Sequence, residues 1–167
     1  MTLPASDLEN VDRHFLAQVC VLPKLFEQLM AMPAFTYHSR PKSLAPTGAI
    51  YLFSENDRHL YVGRTNNVKR RLRDHCGTGS GHNAAPFAFI LARKATGHTT
   101  PSYQKNGLNR KALMLDLMFC GAFEAAKERI ALMQIRYVLV SDPVCQALLE
   151  VYVATVLQTE HNDFDNH

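Results

Sequence analysis

The stretch from Gly48 to His75, GAIYLFSENDRHLYVGRTNNVKRRLRDH, constrains the chain more than any other. GAIYLF and HLYV are apolar, β-branched and aromatic runs separated by SENDR, a polar turn rich in Ser, Asn and Asp, which is how a tight antiparallel pair is written. Gly63 is expected to break the second strand. TNN then supplies candidate helix caps, and VKRRLRDHC runs as a helix whose buried stripe holds Val68 and Leu72. With Val68 at 0°, Leu72 lies at about 40°, Arg71 at about 300° and His75 at about 340° around the helix axis. Arg71 and His75 therefore flank the buried stripe and face the sheet. Lys69, Arg73 and Arg70, at about 100°, 140° and 200°, turn to solvent or to a polyanion.

These residues carry a resemblance. Gly48, Ile50 and Tyr51, with Ala49 inserted, and then Tyr61, Val62 and Gly63, followed by Arg71 and His75 ten and fourteen residues after Tyr61, resemble the core of the GIY-YIG nuclease family. The resemblance implies an α+β fold, a small three-stranded antiparallel sheet flanked by helices, here with an N-terminal helical extension and a helical insertion. It puts Arg71 on the family's catalytic arginine and His75 where members carry His or Tyr. Several members have Lys where this chain has Arg64, which keeps the charge but is not a readily deprotonated base.

The 167 residues fit one domain. Residues 1–46 form an extension and connector, and residues 47–162 the core, with an insertion at about 97–133. No apolar run approaches the ~20 residues needed to span a bilayer. The segment MTLPASDLENVDRH carries acids where a secretory signal needs basic residues, so a cytoplasmic protein with no membrane partner is expected. Cys20, Cys76, Cys120 and Cys145 form no C-x-x-C pair and read as reduced thiols. Net charge is only +3, but Arg58, Arg64, Lys69, Arg70, Arg71 and Arg73 crowd into sixteen residues, a phosphate footprint or a solvated helix face.

Residues 3–34 are expected to form one or two helices, with Ser6 and Glu9 as a capping box and Leu8, Val11, Phe15, Val19 and Leu22 at helical spacing. Pro23 restarts the helix and Pro33 stops it. An apolar face left open there would suit a homodimer or another partner. Phe35 to Pro46 is a connector, and GTGSGHNAAPF a glycine-rich loop that runs into the helix AAPFAFILARKA without a Walker pattern. Helices are expected from Lys111 to about Phe123 and from Glu124 to Met133, then a strand from Gln134 to Asp142. Pro143 opens VCQALLEVYVATVLQT, apolar almost all round and expected to be largely buried. Glu150 is its only charge and needs a partner, whether a cation, Arg71 or Arg136.

By the resemblance, Glu150 is the family's metal-binding glutamate on a late helix, and Asn162, twelve residues on, its late asparagine. His82 falls near a second functional histidine of some members, and Arg64, Lys69, Arg70 and Arg73 would meet substrate phosphates. Mg²⁺ or Mn²⁺ would be the cofactor, with no organic group. Tyr51 or Tyr61 would accept the proton of the attacking water, with His75, titrating near neutrality, as relay or as the base itself. Tyr51 is the favoured base. The resulting expectation is a metal-dependent endonuclease that hydrolyses DNA, of restriction, defence or repair type. RNA stays open, because phosphate and metal contacts do not report the sugar. The alternative is a nucleic-acid-binding module of the same fold without chemistry.

Overall fold

The computed structural model describes residues 11–44, 46–98, 108–162 and 164. Its centre is a sheet of three antiparallel strands in the order β2-β1-β3, with β1 at Ala49–Glu55, β2 at Arg58–Thr65 and β3 at Gln134–Leu139. The hairpin closes through Asn56 and Asp57, both at positive φ (50° and 61°), the backbone that a two-residue turn between twisted strands requires. β2 does not end at Gly63. It runs on to Thr65, with Gly63 paired to Tyr51, because this glycine gives room to a side chain rather than breaking a strand.

β1 is central and covered on both faces, so its side chains alternate between two cores. Ala49, Tyr51 and Phe53 face a layer built from α3 (Val68–Cys76), α4 (Pro86–Ala95) and α6 (Leu117–Leu132). Ile50 and Leu52 face the other layer, where α2 (Leu22–Ala31) and α7 (Pro143–Leu157) pack. A β-bulge between Phe53 and Ser54 sets consecutive Leu60 and Tyr61 against the first layer.

The helical starts follow their caps. Asn67 accepts from Arg70 N at 2.9 Å and opens α3, and Asp142 accepts from Cys145 N at 2.6 Å and opens α7. α1 (Arg13–Cys20) begins at Asp12, whose carboxylate accepts from His14 N and Phe15 N. Pro23 sits in the first turn of α2, as expected. The capping box at Ser6 and Glu9, with Leu8, lies outside the described residues. Phe15 is exposed, while Val19 packs against the second core.

Two expectations need correcting. Residues Lys111 to Met133 do not break at Phe123: a single turn, α5 (Arg110–Leu113), is followed by one helix, α6, because Asp116 caps it by accepting from Phe119 N at 3.0 Å. α7 is not buried all round. It turns Cys145, Gln146, Leu149 and Val153 inward but leaves Val144, Val151 and Val156 about half exposed. No helix among the described residues is long and apolar enough to cross a membrane.

Both sheet edges are covered. Phe35 of the connector exchanges two backbone hydrogen bonds with Ile135 on β3, at 3.1 and 2.7 Å. Along β2, Glu160 N and His161 N donate to His59 O and Leu60 O, and the side chain of Asn162 completes the row on Val62.

Candidate active site

The hairpin places Tyr51 and Tyr61 one behind the other. Tyr51 is 1% exposed, and its Oη lies 3.0 Å from His75 Nε2 on α3. Gly63 makes this possible, since a Cβ there would fall 2.6 Å from Tyr51 Cζ and nearer still to Oη. Tyr61 is half-buried and stacks on Phe87, with centroids 4.7 Å apart and planes 8° apart. Phe53 and His75 close the aromatic cluster around them.

His75 is fully buried, and burial, with the charges of Arg71 and Lys127, lowers its pKa to about 3. It is a neutral imidazole at any working pH, not the near-neutral titrating group that sequence suggested. Its Nδ1 has no hydrogen-bond partner. A proton on Nδ1 would be an orphaned buried donor, so we assign it to Nε2, which donates to Tyr51 Oη. That leaves the Tyr51 hydroxyl proton free to turn toward Tyr61. Burial is the first cause that raises both phenols above the ordinary tyrosine value, Tyr51 more so. Interaction between the two phenols raises Tyr51 and lowers Tyr61, and Arg71 lowers both. Tyr61 is thus the easier of the pair to ionise.

Glu150 reaches the same place from α7. Its partner is neither Arg71 nor Arg136 but Arg64 of β2, whose Nε lies 3.2 Å from Oε2. Arg136 is instead engaged with Met32 O at 3.1 Å. Burial and the ion pair pull the Glu150 carboxyl in opposite directions. Burial wins, and its pKa stays above the ordinary carboxylate value despite Arg64 and Arg71. Such a carboxylate favours a further positive charge. Among the described residues no group of three or more His, Cys, Asp or Glu is placed to hold a metal.

Arg71 is half-buried and donates from Nη1 to Ala84 O at 3.3 Å, a contact weak enough to exchange for a phosphate. The sequence offers Arg110, the first residue of α5, as a surface cation that could add a phosphate contact, and the structure gives it a more definite place. It is half-buried, with its guanidinium 4.5 Å from the Phe89 ring centroid and Nη1 3.0 Å from His82 O. Its charge also reaches Tyr61 and lowers that phenol. Only its place after the Asn109 cap hinted at its order; nothing in the local pattern could have put it beside Tyr61.

Residues 47–111 match the family model described as the GIY-YIG catalytic domain. The chain carries a GIY-YIG catalytic domain. Such a domain implies a nuclease, and hence a nucleic-acid substrate. No curated protein and no solved structure matches the chain.

The GIY-YIG match contains Tyr51, Tyr61, Arg64, Arg71, His75, His82 and Arg110, whereas Glu150 and Asn162 lie beyond it. Lys69, Arg70 and Arg73 are exposed along the outer side of α3. His82 packs its ring 6.3 Å from Phe89 and spends its carbonyl on Arg110. Asn162 does not present its amide to the site: Oδ1 accepts from Val62 N and Thr159 Oγ1, and Nδ2 donates to Val62 O, all at 2.8 Å. It fixes the backbone between Tyr61 and Gly63.

Proposed function

We propose that this chain is a divalent-metal-dependent endonuclease that hydrolyses phosphodiester bonds in DNA, with Tyr61 rather than Tyr51 as the group that takes the proton of the attacking water. The observation that carries the reading is convergence on one phenol. Arg71 of α3, Arg110 of α5 and Glu150 of α7 all lie within electrostatic reach of Tyr61 on β2.

Phosphodiester hydrolysis needs an activated water, charge at the pentacoordinate phosphorus and help for the leaving 3′ oxygen. Tyr51 is sealed in the core, so its hydroxyl serves Tyr61 by donating to the phenolate. His75, neutral and donating, holds Tyr51 in that orientation. Arg71 exchanges Ala84 O for the non-bridging oxygens, where its fork suits phosphate geometry. Arg110, restrained by Phe89, adds charge on the Tyr61 side. Glu150 fits a Mg²⁺ or Mn²⁺ ion, which binds through one carboxylate plus waters and substrate oxygens. Bound there, the ion would supply Lewis-acid charge to the leaving oxygen. Arg64 keeps that half-buried carboxylate ionised before the ion arrives.

The test is cleavage of supercoiled plasmid with Mg²⁺, set against Glu150→Ala and Tyr61→Phe, across pH. A phenol raised above its ordinary value gives a rate that climbs about tenfold per unit from pH 7 to 9. His75 contributes no inflection near 6.5. Both variants abolish cutting, and neither loses DNA binding. An inflection near pH 6.5 would sink Tyr61 and return the role to His75. Absence of cutting by the unaltered protein on plasmid, branched or single-stranded DNA would leave a binding module of the same fold.

A further inference from the structure

The outer side of α3 is not simply a solvated face. Together with the connector it forms a groove of about 300 Å³, lined by Tyr37, Arg40, Asn67, Lys69, Arg70 and Arg73. No carboxylate lines it, and among the described residues Arg40, Lys69 and Arg70 form no ion pair. Arg73 has only a long contact to Asp74, at 3.8 Å. Arg40 is held in place without being neutralised. Its guanidinium carbon lies 4.0 Å above the Tyr37 ring centroid, and Nη1 donates to Tyr37 O at 2.6 Å. The turn that carries Tyr37 is itself locked, since Thr36 and Ser39 bond each other through backbone and side chain. Four cations around one groove, of which only Arg73 has a counter-charge and that at a distance, repel one another, and a polyanion relieves that repulsion. Exposed side chains that only kept the protein soluble would not need an aromatic platform beneath one of them.

We infer that this groove is a second phosphate site, which grips the backbone of duplex DNA at a phosphate other than the one that is cut. The inference rests on the nuclease reading. Arg71 leaves α3 on a different side from Lys69, Arg70 and Arg73, and a helix with its side chains is about 10–12 Å across. They are therefore spaced for two phosphates of one polymer, not for two oxygens of one phosphate. A free nucleotide could fill one of the two positions but not both. Tyr37 and Arg40 precede the residues that match the catalytic domain, so the connector contributes to substrate hold without touching the reacting atoms.

The test is binding of a fluorescent DNA duplex of about 30 bp, in EDTA, at salt from about 50 to 200 mM. Each lost phosphate contact lowers the slope of log K against log salt by about 1. Arg40→Ala is expected to do so and to raise Kd about fivefold. Tyr37→Leu, which removes the ring but no charge, raises Kd about twofold. Arg13→Ala, which removes the same charge from exposed α1, leaves both slope and Kd unchanged. An unchanged slope in Arg40→Ala, or an equal fall in Arg13→Ala, overturns the inference. Plasmid cleavage measured in parallel separates it from the reading beneath it. Cutting with no change of slope removes the groove and keeps the nuclease, and a changed slope without cutting does the reverse.

Discussion

Adding one methyl group at Gly63 tests the packing logic of the whole site. The new Cβ would stand 2.6 Å from Tyr51 Cζ and 3.1 Å from Cε2. Tyr51 cannot retreat, because Phe53 and His75 sit at 5.7 and 5.5 Å between centroids and its exposure is 1%. Either β2 moves away from β1, or the phenol leaves His75. Overpacking of this kind costs about 1–3 kcal/mol, and loss of the buried hydrogen bond adds about 1 kcal/mol. A loss of about 3 kcal/mol lowers the melting temperature of a chain this size by about 6–12 °C. The assay is urea unfolding of Gly63→Ala, of Tyr51→Phe and of the double variant. Removing Oη relieves the closest contact, so the double variant loses at least ~0.5 kcal/mol less than the two single losses combined. Cleavage by Gly63→Ala falls along with stability. Additive losses, or a melting temperature within about 2 °C of the parent, would refute the claim that Gly63 exists to make room for Tyr51.

Two further outcomes are expected. His75 has a native pKa of about 3 against an ordinary 6.5, so below pH 6.5 the unfolded chain binds a proton that the native one refuses, and stability falls as pH drops toward 3. The loss from His75 reaches about 2 kcal/mol at pH 5. His59 and His161 are shifted the same way by burial and add to it. His75→Phe flattens the slope of urea stability between pH 7 and 5, and an unchanged slope would contradict the buried neutral imidazole. Asn162→Ala costs about 2–3 kcal/mol and speeds hydrogen exchange at the Val62 amide, with cleavage reduced and DNA affinity kept. Unchanged exchange there would mean that the asparagine does not brace β2.

The hairpin, the α3 wheel and the Asp142–Pro143 start of α7 were legible because each is written locally, in alternation, period and caps. Arg71 and His75 faced inward as the wheel required. The same wheel held the clue to the error over His75, since a histidine on a buried stripe is desolvated and loses its neutral-pH titration. Gly63 misled because a glycine in a strand signals both interruption and close approach, and only the Tyr51 ring decides between them. Arg110 and the Arg64–Glu150 pair join residues far apart in the chain, and no periodicity reports such a meeting. Asn162 was noticed for its spacing, yet its bonds to Val62 exist only once the chain has folded back along β2.

The site is assembled from residues that emerge at very different times during synthesis. Residues 47–111 hold both tyrosines, Arg71 and Arg110, while Glu150 arrives with α7 and the clasp on β2 later still. Translation delivers N-terminal parts first. On the proposed reading, the cations that would meet a phosphate are therefore made before the carboxylate that would hold a metal ion. A product stalled short of α7 would lack Cys145, Leu149 and Val153 as well, which pack with Ile50 and Leu52 on the second face of β1, so the candidate carboxylate and the cover of the sheet arrive together.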